Sequence, residues 1–124
     1  MDVKKSDWKT MPIPVEKVDL GYQKVFRAAD VKKIMSGYKP HDMEDKWFIY
    51  YEDSWVYFVR SWTGYHIFGF ELAVSPDGSA RVVASWANRN LEEYQSKSKE
   101  NDIHNIDDLI NGIFGVERDA QSRP

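Results

Sequence analysis

The sequence has no cysteine among its 124 residues, which excludes disulfides, thiolate nucleophiles and cysteine-ligated zinc. It also has no stretch approaching the roughly 20 apolar residues of a membrane-spanning helix. No apolar run of the length that a secretory signal needs follows the N-terminus. These absences predict a soluble, cytoplasmic protein with no membrane partner.

An excess of charge of one sign is lacking too. The 17 Lys and Arg residues nearly balance 20 Asp and Glu, and the formal net charge is -3. Because nucleic-acid-binding domains are usually basic, this balance disfavours a nucleic-acid partner. The three histidines lack metal-binding spacing, and no phosphate-binding glycine loop or G-x-S-x-G motif occurs. We therefore expect neither a metal nor a cofactor.

Aromatic residues are abundant, and eleven of the 18 lie between positions 47 and 70. Such density, mixed with β-branched residues, is typical of strands. Turn signals at 53–54, 63–64 and 75–78 divide the segment into expected strands near 47–52, 55–62, 65–74 and 80–87. Because short connections join antiparallel neighbours, the sequence predicts an aromatic meander of about four strands.

Helices are expected on both sides of the meander. Apolar spacing at Val31, Ile34 and Met35 predicts a helix over 28–36 that ends at Gly37. A short helix carrying Leu91 and Tyr94 is expected next, followed by a polar loop over 95–102. The last helix is indicated by an apolar stripe of helical period: Ile106, Leu109, Ile110, Ile113 and Phe114.

The ends of that last helix follow from its flanking residues. Asn105 is the expected N-cap and Gly115 the expected stop. The alternation of Val18 with its neighbours predicts a further short strand before the first helix. The length predicts one α+β domain over 1–124, in which short helices pack the sheet. Within it, 1–14 form an extended arm and 117–124 a flexible tail.

The turn positions also predict how the strands pair. A two-residue loop at 53–54 places Trp47 opposite Arg60. A two-residue loop at 63–64 places Trp62 opposite Tyr65 and Val56 opposite Glu71. One face of the sheet then carries Trp47, Ile49, Tyr51, Val56, Phe58, Arg60, Trp62, Tyr65, Ile67, Gly69 and Glu71. The other carries Phe48, Tyr50, Trp55, Tyr57, Val59, Ser61, His66, Phe68, Phe70 and Leu72.

Both predicted faces are apolar in the middle, so we expect helices to cover one and leave the other partly open. The first face carries the chemistry of an anion-binding site. A guanidinium at position 60 between aromatic rings can stack and still donate to a phosphate or carboxylate. The expected ligand-binding residues are Arg60, Ser61, Trp62, Thr63, Tyr65, Trp47 and Glu71. The alternative is that Arg60 only bonds turn carbonyls.

Three functions are compatible with this pattern. The first is a module that binds a small anionic molecule through Arg60. The second is a protein-interaction or homo-oligomerisation module that uses the aromatic sheet face. The third is a small enzyme with Glu71 or His66 as the acid or base. The sequence leaves the presence of any catalysis open.

Residues 45–72 contain W-F at 47–48, E-D at 52–53 and R-S-W-T-G-Y at 60–65. In this layout the segment resembles a small family of functionally uncharacterised proteins from bacteria and their phages. Members usually have His before the Arg, and this chain has Val59 there, which removes one candidate acid or base. Some similar segments lie beside ADP-ribose-handling domains. The resemblance therefore implies a nucleotide-like ligand for residues 60–65.

Overall fold

Six antiparallel strands and two α-helices form the architecture of residues 2–117, which are the residues that this computed structural model describes. The elements in chain order are a 3-10 helix (Lys5–Asp7), β1 (Lys17–Asp19), β2 (Val25–Phe26), α1 (Ala28–Ser36), β3 (Trp47–Glu52), β4 (Trp55–Arg60), β5 (His66–Val74), β6 (Ala80–Asn88) and α2 (Lys99–Phe114). The α+β class is confirmed, and the sheet is larger than the expected four strands.

The expected meander forms the body of the sheet, in the order β1-β6-β5-β4-β3, with β2 also paired to β6. Lys17 lies opposite Asn88 at one end of β6, and Phe26 lies opposite Ala80 at the other. The nine-residue β6 therefore offers an edge long enough for two short strands. Strands of two or three residues show almost no alternation in sequence, which is why β2 escapes prediction.

The first hairpin matches its predicted register. Asp53 and Ser54 adopt positive φ angles of 50° and 71°. Two such residues form the turn whose twist suits a two-residue hairpin. Tyr51 consequently lies opposite Val56, and Trp47 lies opposite Arg60.

The second hairpin departs from its predicted register. Its loop has four residues, 61–64, because the Arg60 amide donates to the Tyr65 carbonyl and the Gly64 amide donates to the Arg60 carbonyl. Trp62 therefore lies in the loop and not opposite Tyr65. The expected opposition of Trp62 and Tyr65 is wrong.

A bulge at Ile67 then places every later residue of β5 on the face opposite to the one predicted from the sequence. Phe58 lies opposite Phe68, whereas Val59 lies opposite His66, so one residue of β5 is extra. A single extra residue exchanges the two faces of a strand. The predicted pairing of Val56 with Glu71 is therefore wrong, and Glu71 lies opposite Trp55.

The larger core lies between the sheet and the two helices, on what we term the helix face. Its strand residues include Ile49, Phe58 and Phe70, all fully buried. The bulge brings Phe68 onto this face, where its ring stacks on that of Trp47 with 5.9 Å between centroids. The helices contribute Val31, Ile34, Ile106, Ile110, Phe114 and the adjoining Val116.

The opposite side of the sheet, which we term the arm face, has a smaller core covered by the N-terminal segment. Phe48, Tyr50 and Val59 are buried there against Val3 and Trp8. The indole of Trp8 stacks on Phe48 at 6.1 Å. The arm, which includes the 3-10 helix, therefore closes much of the face that the sequence left partly open.

Helix α2 begins earlier than predicted. Ser98 is its N-cap, with its side-chain oxygen accepting from the Asn101 amide, so the expected Asn105 cap is wrong. Most residues of the first two turns are exposed and polar, so no apolar pattern indicated this part of the helix. The helix ends as expected at Gly115, which has φ 71°. Residues 91–93 form a turn where a short helix was expected.

The last described residue lies at the start of the predicted tail. Glu117, the expected first residue of the tail, accepts a hydrogen bond from buried Lys24 through its backbone carbonyl at 3.1 Å. The rest of the predicted tail, 118–124, lies outside the described residues.

Candidate functional site

Arg60 ends β4 on the helix face, and its guanidinium lies over the Trp47 ring, 4.6 Å from the centroid. The side chain is half-buried. Among residues 2–117, no side chain or carbonyl accepts a hydrogen bond or ion pair from this guanidinium. Stacking fixes the plane of the cation and leaves its N–H donors available.

Two clefts meet at Arg60 and Lys46. The first, termed the α2 cleft, has a volume of about 280 Å³ and is lined by Lys46, Trp47, Arg60, Phe68, Tyr94, Asn105, Asp108 and Leu109. The second, termed the loop cleft, has a volume of about 340 Å³ and is lined by Lys46, Arg60, Trp62, Thr63, Tyr65, Glu92 and Glu93. Both clefts therefore expose the same two cations.

Carboxylates also line each cleft. Glu93 accepts from the side-chain amide of Asn88 at 2.9 Å, which holds it at the wall of the loop cleft. Asp108 lies in the α2 cleft. Both carboxylates have partners within the protein, because Glu93 accepts from Asn88 and Asn90 and Asp108 lies 3.2 Å from His104.

The hydroxyls expected to bind ligand have internal partners. Ser61 is buried and donates from Oγ to the Asp45 carbonyl at 2.7 Å. Thr63 Oγ1 accepts from the Tyr65 amide at 3.3 Å. Both hydrogen bonds shape the loop, and only the Thr63 side chain also lines the loop cleft.

Trp62 is the most exposed aromatic residue of the expected site, with 68% of its surface accessible. Its indole N–H donates to the Met43 carbonyl at 2.7 Å, so the ring is held in place. Tyr65 lines the same cleft. The structure thus brings Trp47, Arg60, Trp62, Thr63 and Tyr65 together.

Glu71 and His66 do not join this group. Glu71 lies on the arm face and accepts from Ser54 Oγ at 2.9 Å. The grouping of Glu71 with Arg60 is therefore wrong, because the bulge at Ile67 turns it to the opposite face. His66 is completely buried, also on the arm face, beside Val59.

The surroundings of His66 are those of a neutral imidazole. Its Nε2 lies 2.6 Å from the Tyr50 hydroxyl, and its Nδ1 has no hydrogen-bond partner among residues 2–117. Burial lowers the pKa of His66 to about 4. Burial also raises the pKa of Tyr50, followed by the effects of Tyr57 and Glu52.

Lys46 and Tyr94 were missed as site residues. A signal for Lys46 existed, because extending the predicted pairing of Trp47 with Arg60 by one residue places Lys46 beside Ser61. The Ser61 amide donates to the Lys46 carbonyl at 2.8 Å. Tyr94 has no such local signal, since its position depends on a hydrogen bond to Asp102 of α2.

The chain matches no protein-family model, no curated protein and no solved structure. Within residues 2–117, no group of three or more His, Asp and Glu side chains is arranged to hold a metal ion. No helix in that part of the chain has the length and apolar content needed to cross a membrane.

Proposed function

We propose that this protein is a binding module for a small anionic molecule and that Arg60 receives the negative charge. The observation that carries the proposal is the half-buried guanidinium of Arg60, which stacks on Trp47 yet has no acceptor among residues 2–117. A planar cation held in this way is suited to a bidentate bond with a phosphate or carboxylate.

Other residues of the two clefts have supporting roles in the proposal. Lys46 adds a second positive charge, and Trp47, Trp62 and Tyr65 offer ring faces. Aromatic faces beside an anion site favour a ligand with a planar group, and the resemblance of residues 60–65 favours a nucleotide-like one. The proposal keeps the cytoplasmic location predicted from the sequence.

Phosphate titration of two Arg60 variants tests the proposal. Arg60→Lys keeps the charge but loses the planar fork, and Arg60→Gln loses the charge. We expect Arg60→Lys to weaken phosphate binding by roughly 1–3 kcal/mol, the range for a hydrogen bond to a charged group. The melting temperature should change little, because the guanidinium has no internal acceptor. NMR shifts of backbone amides in 60–65 report the binding.

Arg81→Gln is the matched control. Arg81 is an exposed arginine on β6, opposite Val25 and outside both clefts. This variant should bind phosphate as the unmodified protein does. A clear loss of stability in Arg60→Lys, with unchanged affinity in the folded fraction, would instead make Arg60 a structural residue and refute the proposal. Mass spectrometry of small molecules released by heat from the purified protein then identifies the natural ligand.

A second candidate function is protein interaction or homo-oligomerisation through the sheet. One observation favours it: the rings of Trp55 and Tyr57 stack on the arm face, 6.2 Å apart, and both remain partly exposed. Stacked, accessible aromatic rings are typical of interface hot spots. Light scattering across a concentration series, with Trp55→Ala as the variant, tests for self-association. A mass that stays monomeric at every concentration would rule out the homo-oligomer.

A further inference from the structure

An apolar cavity of about 630 Å³ adjoins the loop cleft and shares Trp62 with it. Its lining comprises Trp8, Pro40, His41, Asp42, Met43, Ser61 and Trp62. Met43 is 83% exposed and Trp62 is 68% exposed, so two large apolar side chains face solvent at one place. Apolar surface concentrated in a concave site marks a binding site.

The two tryptophans of this cavity are held as rigid walls. The Trp8 indole N–H donates to the Ser61 carbonyl at 2.8 Å, and that of Trp62 donates to the Met43 carbonyl at 2.7 Å. Each ring has therefore satisfied its only polar atom and offers purely apolar surface. A ring fixed before binding loses little conformational freedom when a ligand packs on it.

Trp62 belongs to both the apolar cavity and the loop cleft. The cations Arg60 and Lys46 therefore lie one side chain away from the apolar walls. From this arrangement we propose that the ligand is an amphipathic anion: its charged group binds at Arg60 and Lys46, and its aromatic or other apolar group occupies the cavity of Trp8 and Met43. This inference rests on the proposed function of the Arg60 site.

The volume and lining of the cavity define the apolar group further. A volume of about 630 Å³ lies within the range of small-molecule sites and exceeds that of either cleft. The flexible thioether of Met43 can adjust to different ring shapes. Inorganic phosphate alone would bind at the Arg60 site and leave the apolar lining of the cavity in contact with water. A ligand with an attached ring system uses both.

Three probes separate the contributions: inorganic phosphate, 1-naphthyl phosphate and neutral 1-naphthol. We expect 1-naphthyl phosphate to bind roughly tenfold or more tightly than phosphate, because burial of its rings adds apolar area. NMR titration, followed at the indole N–H signals, measures all three. Neutral 1-naphthol should bind more weakly than 1-naphthyl phosphate, since it lacks the charge for Arg60.

Variants locate each part of the ligand. Met43→Ser and Trp62→Ala should remove most of the gain of 1-naphthyl phosphate over phosphate, whereas Arg60→Gln should weaken both anions. Met43 lines the apolar cavity alone, so its variant leaves the cation site intact. Val74→Ala is the control, since Val74 is an exposed apolar residue at the far end of β5 and should change no affinity.

The outcomes distinguish this inference from the function on which it rests. Equal affinities for phosphate and 1-naphthyl phosphate, both dependent on Arg60, would overturn the amphipathic ligand and leave the anion site standing. Loss of Arg60 dependence for both anions would overturn the two proposals together. Binding of 1-naphthol as tight as that of 1-naphthyl phosphate would show that cavity and cations do not share one ligand, which also overturns this inference.

Discussion

His66 illustrates how one buried side chain couples this protein's stability to pH. The imidazole is enclosed on the arm face between Tyr50 and Tyr57, with ring centroids 5.8 and 5.5 Å away. The Tyr50 hydroxyl lies 2.6 Å from its Nε2. Burial therefore opposes protonation and lowers its pKa to about 4.

We predict that burial of His66 makes the protein less stable in mild acid. Between the unfolded pKa of about 6.5 and the folded pKa of about 4, the unfolded chain binds a proton that folded His66 does not. The free energy of unfolding should therefore fall as pH falls through this window, by roughly 3 kcal/mol, and stop responding to His66 below it. Urea unfolding at several pH values between 7 and 4 measures the decline.

His66→Gln should be less stable at pH 7 and should show a flatter decline, because glutamine does not titrate. His104→Gln is the control: His104 is exposed on α2, and removing it should keep the steep decline. If the His66→Gln protein lost stability with the same slope as the unmodified protein, the pH dependence would come from another group.

Asp102 is a second buried polar residue, and no sequence pattern indicated its structural role. It is completely buried, and its two oxygens accept from Arg89 Nη2 and the Tyr94 hydroxyl, each at 2.6 Å. Burial, together with the hydrogen bond to Asp102, raises the pKa of Tyr94. These bonds attach the segment after β6 to α2 and position the Tyr94 ring in the α2 cleft.

We therefore predict that Asp102→Ala is strongly destabilising. The substitution leaves the mostly buried Arg89 without its partner, and breaking a buried ion pair in this way costs about 3–5 kcal/mol. Chemical denaturation measures the loss. Glu100→Ala, two residues earlier and exposed, should cost less than about 1 kcal/mol. Similar losses of stability in the two variants would contradict the role of Asp102 as the buried partner of Arg89.

At the scale of elements, α2 combines a narrow buried stripe with a wide exposed side. Ile106 and Ile110 are fully buried, and Phe114 is nearly so. Leu109 and Ile113, from the same predicted stripe, are only partly buried. Leu109 lies at the margin because it also lines the α2 cleft.

Two substitutions on the predicted stripe should therefore differ in cost. Ile110→Ala removes fully buried methyl and methylene groups and should destabilise by about 2–5 kcal/mol. Leu109→Ala removes side-chain atoms that are already partly exposed, so it should lower the free energy of unfolding by only about 1–2 kcal/mol. Thermal or denaturant unfolding compares them. A larger loss for Leu109→Ala would mean that the helix is rotated relative to the sheet.

Gly112 lies on the exposed side of the same helix, and a Cβ built there meets no atom within 4 Å. Glycine in a helix interior is less favourable than alanine because its unfolded backbone is more free. Gly112→Ala should therefore stabilise the protein by about 0.5–1 kcal/mol, measured as an increased denaturant midpoint. A decreased midpoint would show that this turn of α2 is not regular helix.

For the molecule as a whole, the N-terminal arm joins parts of the chain that are distant in sequence. The Val3 amide donates to the Ser36 carbonyl at the end of α1, and the Met11 amide donates to the Gly64 carbonyl at the hairpin loop. Trp8 lies between them on Phe48. The arm therefore completes the arm face and supports the loop that carries Trp62.

Two tryptophan substitutions test this role of the arm. Trp8→Ala should destabilise by roughly 2–4 kcal/mol, since it removes packing on Phe48 and a hydrogen bond to Ser61. Trp62→Ala removes an identical side chain with a similar hydrogen bond, but 68% of that ring is already exposed, so it should cost less than about 1 kcal/mol. Equal losses, measured by thermal unfolding, would contradict the covering role of the arm.

The sequence by itself determined the features that depend on neighbours along the chain. The helix at Ala28–Ser36 and the turn at Asp53-Ser54 follow from local apolar spacing and turn chemistry. The position of Arg60 beside Trp47 follows from that same turn, because a two-residue loop leaves only one register. The central cation–aromatic pair of the candidate site was therefore predictable.

Only the tertiary structure decided which residues share a face beyond Ile67. The bulge there adds a single residue, and with a side-chain period of two this moves Glu71 away from Arg60 and Phe68 toward Trp47. The position of Tyr94 likewise depends on Asp102, which is polar in sequence and whose buried carboxylate pairs with both Arg89 and Tyr94. Such contacts join distant residues, so no local pattern of apolar or turn residues encodes them.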